Sequence, residues 1–312
     1  MKKSTLLVTV PIEASQVKEL ETIASNFEII KLDEFKGNVD DIEILYGWNQ
    51  EMGNKLLASD TSSLKWVQAN SAGVDHIDTN KIKEKNILLS NASGVHGNQM
   101  SESILGMIFA HTRKIKESIL AQEKSEWMSP TQMSDLNQKK VMIVGTGHIG
   151  ERLAEILKVF QTNITGVNRS GREVPHFDQI IKQDDLLNHI SEMDIVVSLL
   201  PDTSETHYFF DKSVFSQMKK GVLFINAGRG GTVNTEDLIT YCENETIGFA
   251  GLDVFEVEPL PKTSPLWKLD NVLITPHSSG ATDQYYNRLY PIFKKNLLHY
   301  LETSDICQNK ID

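Results

Sequence analysis

Cysteine is nearly absent: in 312 residues there are two, Cys242 and Cys307. They stand far apart and have no His or Cys partner at metal-ligand spacing, so neither a disulfide framework nor a metal site is expected, and a reducing, cytoplasmic setting is. Positive charge is also scarce. Lys and Arg number 31 against 42 Asp and Glu, for a net charge of -11 with no basic block. That argues against nucleic acid and against an anionic membrane surface as the main partner. Long apolar runs are missing too. The opening MKKSTLLVTVPIEA superficially resembles a signal peptide, but Pro11 and Glu13 cut the apolar run short and no small-residue cleavage site follows. Nothing later is long enough to span a bilayer. Without low-complexity tracts or repeats of solenoid period, the chain reads as globular and long enough for two domains.

What is present is an alternation of short apolar runs with helical stretches. From Thr5 to Ser90 the runs LLVTV, FEII, IEILYG, KWVQA and NILLS alternate with helices expected over Gln16–Asn26 and Gln50–Ala58. This half has no phosphate-binding glycine turn. Its most conspicuous feature is Asn70-Ser71-Ala72-Gly73-Val74-Asp75, directly after a strand, where ligands of open α/β sheets approach. Small residues there leave backbone N–H groups open to an anion, although a plain strand-to-helix turn reads the same way.

The second half is organised around KVMIVGTGHIG. Val141 to Val144 form a strand, ERLAEILKVF repeats apolar positions at helical spacing, and Gly145, Gly147 and Gly150 give the GxGxxG spacing between them. The first glycine permits the turn, the second admits a pyrophosphate, and the third lets helix pack on strand. Further strands follow in NITGV, DIVVSLL, VLFIN, GFAGLD and NVLIT, making six of parallel type, with helices expected over Glu151–Phe160, near Asp184–Ile190, over Lys212–Met218 and over Thr235–Glu243. A long apolar helix is expected over Ser101–Ile115, with Ser101 near its start. The polar stretch Lys116–Lys139, which carries Trp127, Met128, Pro130 and Met133, reads as an arm for another subunit or as solvent-facing loop. The last helix, Asp283–Leu301, is expected to return to the first domain. The fold class is therefore α/β: two doubly wound parallel-sheet domains with a cleft between them. Residues 1–97 plus 281–312 form a flavodoxin-like substrate domain, and 98–280 a Rossmann dinucleotide domain with the dimerisation helix and arm.

Three segments follow apolar runs at the strand ends where a nicotinamide would rest: NAGRG at 226–230, LDVFEVEPL at 252–260 and TPHSSG at 275–280. They supply one cation, carboxylates and one imidazole. Reduction of a 2-oxo acid needs a charge that grips the carboxylate and polarises the carbonyl, plus a proton donor for the developing alkoxide. Arg229 suits the first role, His277 the second, and Glu258 suits orienting the ring. Singly, each also reads as an ordinary loop or core residue.

Along essentially its whole length the chain resembles the D-isomer-specific 2-hydroxyacid dehydrogenases. The matching segments are SAGVDHID, GTGHIG, SLLPDTSETHYFF, FINAGRGGTVN, LDVFEVEPLP with SPLW, and ITPHSSG. The resemblance implies a catalytic trio of Arg229, Glu258 and His277, and substrate contacts at Ala72, Gly73, Arg229 and His277. It implies Asp253 on the carboxamide side of a nicotinamide, and a homodimer made through the helix near Ser101 and the arm containing Trp127. Cofactor contacts are expected at Gly145, Gly147, His148, Ile149, Gly150, Asn168, Arg169, Ser170, Leu200, Pro201, Thr206, Ala227, Gly228, Asp253 and Gly280.

In NAD-preferring folds a carboxylate at the end of the second strand binds the ribose hydroxyl. Here that place reads Val167-Asn168-Arg169-Ser170-Gly171-Arg172. Arg169, Ser170 and Arg172 suit a 2′-phosphate, so NADP(H) is expected over NAD(H), with NAD(H) the alternative; Arg169 merely stacking on adenine would serve either cofactor. Trp48, and Tyr285 or Tyr286, are candidates for closing over the substrate, or else core residues. A small 2-oxo or 2-hydroxy acid is the expected partner. Phosphoglycerate dehydrogenase is a lesser alternative within the family, and formate dehydrogenase relatives carry glutamine where Glu258 stands. From another class, a dinucleotide-sensing protein resembling the C-terminal binding corepressors retains the same trio.

Overall fold

The computed structural model describes residues 3–129 and 133–311, so Pro130 of the expected arm lies outside the described residues. The chain divides into two compact units, one of Met1–Val95 with Thr282–Asp312 and one of His96–Ala281.

In the first unit β1 (Ser4–Val8), α1 (Ala14–Ile23), β2 (Phe27–Lys31), β3 (Ile42–Tyr46), α2 (Gln50–Ala58), β4 (Trp66–Gln68), α3 (Thr79–Glu84) and β5 (Leu88–Ser90) alternate. The second unit runs through α4 (Gly97–Thr112), α5 (Ile115–Glu123), β6 (Lys140–Val144), α6 (His148–Val159), β7 (Asn163–Asn168), β8 (Gln179–Lys182), β9 (Ile195–Ser198), α7 (Lys212–Phe215), β10 (Val222–Asn226), α8 (Thr235–Glu243), β11 (Ile247–Leu252) and β12 (Val272–Ile274). The chain then returns to the first unit with α9 (Tyr285–Thr303) and β13 (Lys310–Ile311).

The first sheet has the order β13-β5-β4-β3-β1-β2 and is parallel except for β13, which pairs antiparallel with β5. Apolar residues on both faces of β1, β3 and β4 explain why it is covered on both sides. On one face α9 closes the core, its Phe293 stacked 3.8 Å from Tyr46 and 5.2 Å from Trp66. On the other, the Trp48 ring fills the space above Gly53 of α2, where a Cβ would meet it at 2.4 Å. Trp48 is thus a core residue and not a cover for substrate, because its apolar area is worth more buried against α2.

The second sheet is wholly parallel, in the order β12-β11-β10-β9-β6-β7-β8. It has seven strands where six were expected. The extra one, β8, is the short segment QIIK, whose pattern is too weak to stand alone and which forms by pairing with the edge of β7. The long helix also differs. It begins at Gly97, so Ser101 is buried in its interior with Oγ bonded to the Gly97 carbonyl. It ends at Thr112, where Lys114 turns left-handed (φ 55), and a second helix, α5, starts where an irregular arm was expected. Neither cysteine is paired; burial pushes the Cys242 thiol up to about 12. Among the described residues no helix is long and apolar enough to cross a membrane.

Candidate active site

All the strands of the second sheet run the same way, so the loops after β12, β11, β10, β9, β6 and β7 share one edge. On it Gly145 turns at φ +110, where a Cβ would lie 2.9 Å from the Leu199 carbonyl oxygen. Gly150 approaches the Gly145 carbonyl so closely that a Cβ would stand at 2.2 Å, and this absence lets α6 settle on β6. Gly147, the N-cap of α6, differs: nothing lies within 4 Å of its would-be Cβ, and no side chain caps the helix. The N–H groups of His148, Ile149 and Gly150 therefore have no carbonyl within α6 to receive them. With the positive end of the helix dipole behind them, they fit the pyrophosphate of a dinucleotide.

At the end of β7 the Asn168 amide donates to Thr146 Oγ1 (3.0 Å) and to the Arg172 carbonyl (2.9 Å), tying this turn to the glycine turn. Ser170 Oγ lies 3.5 Å from Asn168 Oδ1. Arg169 is exposed and pairs with Glu205 at 2.9 Å. No sequence pattern pointed to Glu205, because residues this far apart in the chain meet only once β7 and the loop after β9 are placed. That loop closes on itself: Thr206 Oγ1 donates to the Pro201 carbonyl (2.5 Å) and accepts from the Thr203 N–H (2.9 Å). Leu200 backs onto Gly228, where a Cβ would stand 2.5 Å from the Leu200 carbonyl oxygen, so Ala227-Gly228 and Leu200-Pro201 are neighbours.

Arg229 follows β10 in extended conformation and is exposed. Its carbonyl accepts from Asn226 Nδ2 (3.2 Å) and Thr232 Oγ1 (2.7 Å), which fixes the backbone beneath the side chain. Nη1 donates to the Gly228 carbonyl at 2.9 Å; among the described residues no carboxylate pairs with the guanidinium. Four N–H donors are left for a ligand. The next residue, Gly230, lies against the loop after β11, a Cβ there falling 1.9 Å from Phe255 backbone atoms. Arg229 and the loop bearing Glu258 are thereby held side by side.

His277 and Glu258 meet directly, Nδ1 to Oε2 at 2.7 Å, and Glu258 Oε1 accepts from the Phe255 N–H at 2.9 Å. The carboxylate is therefore aimed by its own loop, and the ring by the carboxylate. His277 has φ 50, and its N–H donates to the Asp253 carbonyl at 2.8 Å. An apolar hollow of about 400 Å³ lined by Phe255, Leu260, Trp267, Ile274 and Pro276 adjoins the pair. Asp253 is fully buried beneath the turn. Its oxygens accept from Thr275 Oγ1 (2.6 Å), Ser278 N–H (2.9 Å), Ser279 N–H (3.1 Å) and Ser279 Oγ (2.5 Å). Burial opposes its ionisation, but bonds from Ser279, Thr275 and Ser278 outweigh it and hold the carboxyl below its usual range. So placed, Asp253 anchors the 275–280 turn.

In the first unit the turn after β4 is equally well held. Tyr285 Oη donates to the Asn70 carbonyl (2.8 Å), Asn70 Oδ1 accepts from the Trp48 N–H (2.9 Å), and Asn91 Nδ2 donates to the Ala72 carbonyl (2.7 Å). Burial pushes the Tyr285 hydroxyl up to about 12, so it stays a donor. None of these bonds uses the N–H of Ala72 or Gly73.

A glycine-turn helix start at the strand ends, beside a cation and a carboxylate–imidazole pair, defines a dinucleotide-dependent oxidoreductase. Comparison with known proteins agrees. Residues 105–279 match the family model described as D-isomer specific 2-hydroxyacid dehydrogenase, NAD binding domain. A probable 2-ketogluconate reductase of Dictyostelium discoideum is 32% identical over 92% of this chain and 86% of its own. Glyoxylate/hydroxypyruvate reductase B of Escherichia fergusonii is 32% identical over 83% and 82%. The crystal structure of a D-isomer specific 2-hydroxyacid dehydrogenase family protein from Aeromonas salmonicida superposes with a TM-score of 0.83, at 32% identity, covering 100% of this chain and 99% of that one. The chain belongs to the D-isomer-specific 2-hydroxyacid dehydrogenase family and is an NAD(P)-dependent 2-hydroxyacid dehydrogenase.

Proposed function

We propose that this enzyme reduces small 2-oxo acids to D-2-hydroxy acids, with His277 as the proton donor. The observation that carries this reading is the 2.7 Å bond between His277 Nδ1 and Glu258, which leaves Nε2 for the substrate oxygen. The bound nicotinamide supplies the hydride. Arg229 grips the carboxylate and polarises the carbonyl, using donors that no carboxylate among the described residues occupies. The proton leaves Nε2 as the carbonyl oxygen gains charge, and Glu258 keeps the ring oriented throughout. In the first unit, the N–H groups of Ala72 and Gly73 are assigned to the substrate carboxylate. Glyoxylate, hydroxypyruvate and 2-ketogluconate, the substrates in the names of the two relatives, are the first compounds to assay. Turnover on any of them, with NADPH or NADH oxidation followed by absorbance, supports the reading. Tight cofactor binding with no turnover on any 2-oxo acid would replace it by the dinucleotide-sensing alternative.

Glu258 gives this mechanism a second test. Its Oε2 lies 2.7 Å from His277 Nδ1 and orients the ring. Glu258→Gln keeps the shape and replaces a charge-assisted bond by a weaker neutral one, so kcat for reduction should fall about tenfold with cofactor binding unchanged. A kcat that does not move would reduce Glu258 to a structural role.

NADP(H) is assigned over NAD(H), because the turn after β7 offers Arg169, Ser170 and Arg172 and no carboxylate of its own. Glu205 qualifies this: Arg169 must exchange that partner for a 2′-phosphate, which is easy for an exposed pair worth about 1 kcal/mol or less. Arg169→Asp should weaken NADPH binding about ten- to hundredfold through lost charge-assisted bonds while changing NADH binding little. Equal losses for the two cofactors would leave Arg169 as an adenine contact only.

A homodimer is assigned through exposed apolar side chains, Ile115, Ile119 and Leu120 of α5 and Trp127, which is 98% exposed. Large apolar side chains left exposed this close in the chain are characteristic of an interface between copies. Light scattering at the mass of two chains checks it; a monomer that is fully active would dispose of it.

A further inference from the structure

Proton transfer and cofactor binding as described leave no role for the residues at the start of α4, where the structure places a polar cluster against the catalytic turn. Gln99 in the first turn of α4 is 4% exposed, a costly position for an amide without partners. Its Nε2 lies 3.2 Å from His96 Nδ1 and donates to the Gly280 carbonyl at 3.3 Å. The half-buried imidazole lies against the same backbone: a Cβ on Gly280 would stand 3.2 Å from Nδ1 and 3.4 Å from Cε1. Gly280 closes the turn that begins at Thr275 and carries His277. Asp253 grips the middle of this turn through Ser278 and Ser279, so the His96–Gln99 pair secures its far end.

We propose that His96 and Gln99 are positioning residues, which together hold the Gly280 carbonyl and so set the turn that presents His277 and contacts the cofactor. The inference rests on the assignment of Gly280 to the cofactor and of His277 to proton transfer. Three further features agree with it. The Gln99 amide nitrogen has two hydrogens, enough for Nδ1 of a neutral imidazole and the Gly280 carbonyl at once. Burial, and after it the charge of Arg229, lower the His96 pKa, so the ring is neutral in neutral solution and Nδ1 can accept from Gln99. No second cation then competes with Arg229 for the substrate carboxylate. The neighbouring cation does not draw the ring away: Arg152 of α6, which packs on Gly97, is engaged by Asn98 (2.7 Å) and Glu155 (2.6 Å). A side chain larger than hydrogen at residue 280 would collide with the ring, which accounts for a glycine whose φ is ordinary.

The test compares His96→Ala, His96→Asn and Gln99→Leu in the full-length protein. NADPH dissociation constants are measured by nicotinamide fluorescence, kcat by cofactor oxidation, and Tm by calorimetry. One lost hydrogen bond corresponds to about a three- to tenfold change. His96→Ala and Gln99→Leu should each weaken NADPH binding and lower kcat by that factor while substrate KM stays near wild type. His96→Asn, whose amide oxygen falls close to the place of Nδ1 and can accept from Gln99, should recover most of both. Alanine and asparagine variants that behave alike, or a drop in Tm with binding and kcat unchanged, would overturn the proposal. Should His96→Ala fail to fold, His96→Asn against Gln99→Leu still decides it. Wild-type protein that binds NADPH with this dependence on His96 but reduces no 2-oxo acid would sink the reductase reading and leave the positioning role standing.

Discussion

His277→Ala should lower kcat for 2-oxo acid reduction by about 10²- to 10⁴-fold, the usual contribution of a positioned general acid. In barrier terms that is about 3–5 kcal/mol. The loss should be in turnover and not in folding or cofactor binding. The turn bearing His277 is held by Asp253, whose oxygens accept from Thr275, Ser278 and Ser279, and by the backbone bond from the His277 N–H to the Asp253 carbonyl; none of these involves the imidazole. The left-handed φ of 50 at this position makes asparagine the better control, since it adopts that conformation more readily than alanine. His277→Asn should fold at least as well as His277→Ala and be as inactive. Near-normal steady-state turnover in either variant would mean that the proton comes from elsewhere.

Arg229→Ala should have a comparable effect but divide it differently, lowering kcat/KM by about 10³-fold with contributions from both kcat and KM. Removing one donor aimed at a developing oxyanion costs about 10²–10³ in kcat, and loss of the carboxylate grip is added in KM. Its guanidinium bonds only the Gly228 carbonyl among the described residues, so the local structure loses one exposed contact and Tm should change little. Arg229→Lys should lie between wild type and alanine, because an ammonium cannot present two parallel N–H groups to a carboxylate. If initial-rate kinetics gave a raised KM with kcat intact, Arg229 would contribute uniform binding and would not polarise the carbonyl. Phe255 gives a separate structural control: Gly230→Ala would force a methyl into its backbone, displacing Arg229 and Glu258 together, and should lose stability as well as activity.

Much of the second unit is legible from local pattern alone. Strands β6, β9, β10 and β11 are four to six residues long and almost wholly apolar, and a buried parallel strand has that pattern whatever its neighbours are. The three glycines of the turn carry local information of the same kind: Gly145 turns with positive φ, Gly150 sits against the Gly145 carbonyl, and Gly147 leaves room for a phosphate. The boundary of α4 is less legible. Its start at Gly97 has no capping side chain, and its end is set by the left-handed Lys114, a residue with no intrinsic preference for that conformation. Strand β8 is invisible in the sequence because its stability comes from the edge of β7 and not from its own composition.

The same division runs through the site. By itself, the sequence determined which residue types stand at the ends of which strands: Arg229 after β10, Glu258 after β11, His277 after β12. Those assignments need only chain order and the rule that parallel strands deliver their C-terminal loops to one edge. Which partners those residues have was decided by the tertiary structure alone. Glu205 meets Arg169, Trp48 turns into the core over Gly53, and Gln99 reaches Gly280 across 181 residues of chain. Such pairs follow from where the sheet places separate loops, and side-chain bonds of about 3 Å depend on atomic positions that no local pattern encodes.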